Sequence, residues 1–183
     1  MRLLYSIQKF VGDYGYKEQK GLLSFVLTIF ASHITGYNHS KYWKRREKVV
    51  NPNYRTFFLK SYYLYYIKRT DAKHLSTFGT SWNQGAAFSA PPILPHGMNG
   101  IIVGYDAKIG TNVTFYQQVT IAKGGVVIGN NVILGAGCKI LNGAHIGDNA
   151  KIGANCVVVE DVPAGATCVL NKPRIIIKEN EQV

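Results

Sequence analysis

Across residues 103–158 an aliphatic or aromatic residue returns every six positions. Val103, Ile109, Phe115 and Ile121 keep the step, and Ile128, Leu134, Ile140, Ile146, Ile152 and Val158 resume it after one extra residue. Four places after most of these stands a smaller apolar residue: Ala107, Val113, Val119, then Val132, Cys138, Ala144, Ala150, Cys156 and Val162. The position directly after the large residue is often glycine, as at Gly104, Gly110, Gly129, Gly135, Gly147 and Gly153. In a helix, six residues turn a side chain by about 600°, which leaves it roughly 120° off any one face. A simple alternating strand demands more apolar residues than are present. Short strands separated by turns satisfy the pattern. Such a solenoid covers the bare apolar surface of each rung with the next, and places glycine at corners that need positive φ or close backbone approach.

The pattern divides the chain into a helical N-terminal domain over residues 1–76, a β-solenoid domain over 77–170 and a basic tail over 171–183. Residues 1–76 lack the six-residue step. Leu22, Phe25, Val26, Ile29 and Phe30 fall at helical spacing, as do Phe57, Leu59, Tyr62, Tyr63, Tyr66 and Ile67 within 56–69. The apolar segment 21–34, interrupted by Ser24, Thr28, Ser32 and His33, is too short to span a bilayer. Asp13 and Glu18 precede it without a compact basic start, which argues against a cleaved signal. A cytoplasmic protein is expected. Between helices and solenoid, residues 78–100 carry Pro91, Pro92, Pro95 and four glycines, so long regular elements are barred there. The first coil is expected in this stretch, with Phe88 and Leu94 as early rung residues.

Charge adds a second theme. The 183-residue chain carries a net charge of +11, which favours anionic partners without choosing among them. Within 41–73, ten cationic residues face only Glu47 and Asp71 and are interleaved with Tyr42, Trp43, Tyr54, Phe57, Phe58, Tyr62, Tyr63, Tyr65 and Tyr66. A groove that stacks bases carries this mixture, and so does a helix lying on an anionic membrane. The reading adopted is a helical domain with aromatics in its core and lysines in solvent, and no nucleic-acid partner. Peripheral contact with the inner face of the membrane, or with a lipid-linked glycan, is the alternative for this segment. Cys138, Cys156 and Cys168 fit neither a disulfide framework nor a zinc spacing, and no metal is expected. Cys138 and Cys156 read as small core hydrophobes with unreactive thiols.

The repeat, together with SAPPILPHGMNGIIVG over 89–104 and FYQQVTI over 115–121, resembles the hexapeptide-repeat acyltransferases, in their serine O-acetyltransferase-like branch that includes polysaccharide O-acetyltransferases. The resemblance implies a left-handed parallel β-helix with three hexapeptides per coil. Its hand comes from the resemblance alone, since the usual crossover rule gives the opposite one. Residues eighteen apart then stack about 4.8 Å apart along the axis, with Ile128 beneath Ile146 and Leu134 beneath Ile152. The resemblance also makes His96 the general base. Imidazole titrates near neutrality and can take a proton from a hydroxyl too weakly acidic to attack a thioester unaided.

Two departures bear on the acceptor. Serine acetyltransferases carry an aspartate fifteen residues before the catalytic histidine, where this chain has Ser81, so Ser81, the nearby Asn83 or a backbone carbonyl is left to orient the ring. They also have a longer loop, with a second substrate-contacting histidine, where this chain has the short link 122–127. His145, at an outward corner, is expected to be exposed and passive. These departures point to a carbohydrate acceptor: an acetyl-coenzyme A-dependent O-acetyltransferase acting on a sugar hydroxyl in capsular or exopolysaccharide synthesis. Serine O-acetyltransferase and a non-catalytic scaffold binding a membrane or polyanion are the alternatives. For the cofactor, the resemblance implies Ala122, Gly124, Ala136 and Ala154 beside the pantetheine arm, and Lys123, Lys139, Lys172 and Arg174 as phosphate-binding cations. It further implies a homotrimer with active sites between subunits.

Overall fold

The computed structural model describes residues 36–172. The segment 21–34 with its helical spacing, Arg174 and the rest of the basic tail lie outside them. Three parallel sheets form the sides of a β-solenoid. One side stacks β4 (Ile102–Val103), β7 (Thr120–Ile121), β10 (Lys139–Ile140) and β13 (Val157–Val158). The next stacks β3 (Ala87–Phe88), β5 (Lys108–Ile109), β8 (Val127–Ile128) and β11 (His145–Ile146). The third stacks β6 (Thr114–Phe115), β9 (Ile133–Leu134), β12 (Lys151–Ile152) and β14 (Thr167–Cys168). Single bridges from Thr77 to Ile102, Ile93 to Thr114 and Val162 to Ile146 add one rung to each side.

The register follows the apolar step. Ile128 pairs with Ile146 and Leu134 with Ile152, eighteen residues apart as expected. Across the link 122–127 the interval grows to nineteen, as in Ile121 against Ile140. There Gly124 and Gly125 adopt positive φ and donate their N–H groups to Asp106 Oδ2, at 2.9 and 3.2 Å. Near the start the interval is twenty-one, from Phe88 to Ile109 and from Ile93 to Thr114. Phe88 and Leu94 both belong to this first coil, Leu94 buried and Phe88 packed against the core. Cys138 and Cys156 are buried free thiols. Burial pushes Cys138 up to about 12.

The glycines after the large apolar residues meet the second of the two expected needs, close approach. Gly104, Gly110, Gly129, Gly135 and Gly147 are absent from the positive-φ positions, yet a Cβ at any of them would stand within 2.8 Å of backbone in the neighbouring coil. Close approach explains all five. The left-handed corners are shared between asparagine and a second set of glycines, among them Gly137, Gly143 and Gly165. Asn112, Asn131 and Asn149 lie at φ 55°, 56° and 60° and stack, the amide of Asn112 donating to Asn131 and that of Asn131 to Asn149. Asparagine tolerates this region because its short polar side chain bonds locally.

Two helices cover the first coil. α1 (His39–Val50) is capped by Asn38, whose side chain accepts from Lys41 N, and α2 (Phe57–Lys73) packs beside it. The hairpin β1 (Thr80–Ser81) and β2 (Gln84–Gly85) links them to the solenoid. Arg46, 3% exposed, fastens the layers: Nε donates to Thr80 Oγ1 at 2.9 Å and Nη2 to the carbonyls of Phe78 and Ala86. Lys60 is also buried, donating to the carbonyls of Asn51 and Tyr54 and to Asn83 Oδ1. Both cations contradict the expectation of solvated basic side chains, because carbonyl and amide oxygens replace the water each gives up.

The aromatics also split. Tyr42 and Trp43 are core residues, whereas Phe57, Phe58, Tyr62 and Tyr65 are exposed on α2. The Arg45 guanidinium lies 4.0 Å from the ring centre of Tyr66, a cation–π contact between the helices. Among the described residues no helix is long and apolar enough to cross a membrane.

Candidate active site

The corner between β3 and β4 is built from apolar anchors and tight turns. Leu94 and Met98 are buried, Gly97 turns at φ 71° with its N–H donating to Leu94 O, and Ile101 N donates to Met98 O. With those side chains drawn inward, His96 is left exposed on the outside of the corner. The twenty-one-residue interval of the first coil sets it against residue 117 of the next. His96 Nδ1 lies 2.8 Å from Gln117 Oε1, and the ring meets Tyr116 edge-on with centroids 5.4 Å apart. An amide oxygen can only accept, so Nδ1 carries a proton, and in the neutral ring the lone pair is then on Nε2. This is the state a general base requires.

Asn99 ties the corner to the helical layer. Its Nδ2 donates to His96 O at 3.2 Å, which turns its Oδ1 toward His74 Nδ1 at 3.0 Å. The backbone repeats the link: Gly100 N donates to His74 O, and Gln118 N to Asn99 O, both at 2.9 Å. His74 is the C-cap of α2 and Lys73 its last residue. Lys73, His74, Leu75, His96, Asn99, Gly100, Gln117 and Gln118 enclose a cavity of about 490 Å³.

The residues put forward to orient His96 stand elsewhere. Ser81 is in the β1–β2 hairpin, and Asn83, at its turn, gives its side-chain oxygen to Lys60 and lines a separate cavity of about 870 Å³ beside α1. Gln117 takes the role expected of them. His145 is exposed as expected, but its Nδ1 lies 3.6 Å from Asp161 Oδ2, and Asp161 also accepts from its backbone N–H.

The positions put forward for the cofactor fall on two corners of the chain. Ala122, Lys123 and Gly124 follow β7, with the Lys123 ammonium 5.4 Å from the ring centre of Tyr105. Ala136 and Ala154 share another corner, where Asn155 N donates to Ala136 O. Lys139 begins β10, its Nζ 3.1 Å from Gly137 O, and Lys172 is exposed at the end of the described residues. Among the described residues no group of three or more His, Cys, Asp or Glu side chains could hold a metal ion.

Residues 125–160 match the family model described as bacterial transferase hexapeptide (six repeats). Over 108 residues, 55% of this chain, the sequence is 37% identical to a serine acetyltransferase of Helicobacter pylori, and it spans 63% of that protein's length. Less than two thirds of the relative is therefore represented. The fold is shared with serine acetyltransferase isoform 3 of Entamoeba histolytica in complex with cysteine, at TM-score 0.59 and 21% identity over 98% of this chain and 64% of that one. It is shared also with a serine acetyltransferase in complex with CoA, at TM-score 0.57 and 24% identity over 91% and 67%.

These relatives are named for serine, which overturns the expectation of a sugar hydroxyl and a role in surface polysaccharide synthesis. The serine at position 81 and the short link 122–127 do not by themselves point to carbohydrate, and that inference went beyond them. Residues 125–160 carry the repeats of the bacterial hexapeptide transferase model, and the six-residue step and the solenoid are shared with these serine acetyltransferases.

Proposed function

We propose that this chain is an acetyl-coenzyme A-dependent serine O-acetyltransferase with His96 as its general base. The observation that carries the reading is the imidazole itself. It stands on an exposed corner beside a cavity, its Nδ1 proton engaged by Gln117 and its Nε2 left as the basic nitrogen. The serine acetyltransferases among the relatives supply the acceptor.

In this reaction His96 Nε2 takes the proton of the serine hydroxyl as the oxygen attacks the thioester carbonyl. A C–O bond forms, the C–S bond breaks, and the imidazolium returns the proton to the departing sulfur. Gln117 holds the ring in the required tautomer throughout, because a carbonyl acceptor stabilises both the neutral Nδ1–H and the cation. The donor supplies the activated acetyl group. Residues of this chain fit its long arm: no side chain larger than a methyl stands at Ala122, Ala136 or Ala154, and Lys123, Lys139, Lys172 and Arg174 are the cations for its phosphates. Since these positions occupy two corners of one chain, the arm lies in a groove completed by a neighbouring copy. The assembly is a homotrimer, and light scattering on the full chain measures it.

The test is thiol release from acetyl-coenzyme A with L-serine and a panel of sugars as acceptors. L-Serine is the expected acceptor. His96→Ala is expected to lose about 10²- to 10⁴-fold in turnover, the range for loss of a general base, with an unchanged circular dichroism spectrum. Near-normal turnover in that variant removes His96 from the mechanism, and silence with serine removes the function.

A further inference from the structure

We infer that Lys73 is a carboxylate-binding residue for the acceptor, so that the substrate class is 3-hydroxy carboxylates and the α-amino group of serine is dispensable. This rests on the proposed acetyl transfer at His96. The cavity beside His96 has an uneven polar lining. Lys73, His74 and His96 are its basic side chains, Asn99, Gln117 and Gln118 its amides, and none of the described residues that line it is acidic. An incoming carboxylate meets the Lys73 ammonium there, whereas an ammonium group meets only amide oxygens.

The position of Lys73 is built rather than incidental. It ends α2, where a cation is favoured by the helix dipole. The end of that helix is fixed against the His96 corner by the His74–Asn99 contact and by Gly100 N donating to His74 O. The lysine side chain also runs close over Gly36, whose φ is 70°. A Cβ at Gly36 would stand 3.0 Å from Lys73 Nζ and 3.4 Å from its Cδ. A bare glycine thus leaves the space in which the ammonium sits. Among the described residues no carboxylate forms an ion pair with Lys73; the only pair is His145 with Asp161. Its charge is available to a ligand.

Ser81 lies in the β1–β2 hairpin, apart from this cavity, and no acid among the described residues lines it, so the carboxylate end of the acceptor is the end this lining recognises.

Three acceptors separate the contributions: L-serine, L-serinamide and 3-hydroxypropionate, each assayed for thiol release at saturating acetyl-coenzyme A. For the unmodified enzyme, serine and 3-hydroxypropionate are expected within about tenfold of each other in kcat/KM, with serinamide at least about tenfold below serine, the scale of one charge-assisted hydrogen bond. Lys73→Gln is expected to bring serine down to the level of serinamide while leaving the KM for acetyl-coenzyme A unmoved, and Lys73→Arg to restore part of the preference. Gly36→Ala, which displaces the ammonium without removing it, is expected to weaken the preference in the same direction. An unchanged serine-to-serinamide ratio in Lys73→Gln, a shift confined to the acetyl-coenzyme A KM, or inert 3-hydroxypropionate overturns the inference while serine activity leaves the parent reaction standing. Silence of the unmodified enzyme on all three overturns both.

Discussion

The contact between His96 and Gln117 makes a prediction that can be worked through. Replacing Gln117 with glutamate puts a full negative charge about 2.8 Å from Nδ1. An opposite charge at that range favours imidazolium and raises a pKa by roughly 1–3 units. The exposed setting of His96 puts the effect near the lower end, about one unit. Only the neutral ring can accept the hydroxyl proton. The acid limb of kcat/KM should therefore move to higher pH by about one unit, costing about tenfold below the limb and little above it. Gln117→Leu acts otherwise. It removes a hydrogen bond that strengthens from about 1 kcal/mol with neutral imidazole to about 1.5–3 kcal/mol with imidazolium. The difference, of order 1 kcal/mol, falls on the transition state and lowers kcat about fivefold with little change in KM. Thiol release followed from pH 5.5 to 9 at constant ionic strength reads both effects. An acid limb that stays in place in Gln117→Glu, together with normal kcat in Gln117→Leu, would refute the positioning role.

Other expectations concern stability and reactivity. In Gly135→Ala the new methyl meets Ala154 N and Ile152 O at 2.7 Å, both backbone of the next coil, and overpacking of this kind costs about 1–3 kcal/mol or more. Gly143→Ala bears only the strain of φ 74°, about 1–2 kcal/mol, with nothing within 4 Å. Urea unfolding should rank Gly135→Ala as the more damaging, and the reverse order would deny that close approach selects the glycine. Burial lifts the Asp71 carboxyl to about 6, even though Tyr42 donates to it at 2.6 Å. The folded chain then keeps a proton that the unfolded chain releases near pH 4, so stability falls as pH rises from about 4 to 6, by roughly 3 kcal/mol for a two-unit shift. His39, which burial pushes down to about 4, contributes the opposite slope over an overlapping range, with stability lost as pH falls below about 6.5. The comparison isolates Asp71: relative to the unmodified protein, Asp71→Asn should gain urea midpoint between pH 4 and 7, and a constant difference would rule the account out. Burial raises the thiols of Cys138 and Cys156 as well. A maleimide at pH 8 should label at most Cys168 in the folded protein and all three cysteines in urea.

Much of the architecture was legible because a six-residue apolar step has few solutions. The pairing of Ile128 with Ile146 and of Leu134 with Ile152 followed once the resemblance supplied three hexapeptides per coil, and the step itself showed the extra residue at the link 122–127. The corners were less legible. Glycine was expected there for either of two reasons, and the structure assigns them to different residues: Gly104, Gly110, Gly129, Gly135 and Gly147 serve close approach, while Gly137, Gly143 and Gly165 share the left-handed turns with Asn112, Asn131 and Asn149. His96 was put forward from the resemblance, whereas the Gln117 that bonds its ring was not. The first coil stacks at twenty-one residues, and counting eighteen from His96 reaches Thr114 instead. Lys73 and His74 were hidden for a similar reason, since nothing in the chain shows that the end of a helix closes over a solenoid corner. Composition also failed to separate Arg46 and Lys60, each buried among oxygens, from the exposed cations around them.

The regular pairing interval beyond the link has an architectural consequence. Between Ile128 and Val158 the storeys repeat the same footprint, with Ile128 on Ile146, Leu134 on Ile152 and Ile140 on Val158, so a tandem copy of eighteen residues could be spliced in there without changing the shape of the storeys on either side. The helices occupy the other end, riveted by Arg46 to the first coil, and leave no matching ledge there. Lengthening by duplication is thus confined to the part of the tower remote from His96, where the height of the column can vary while the chemistry keeps its address.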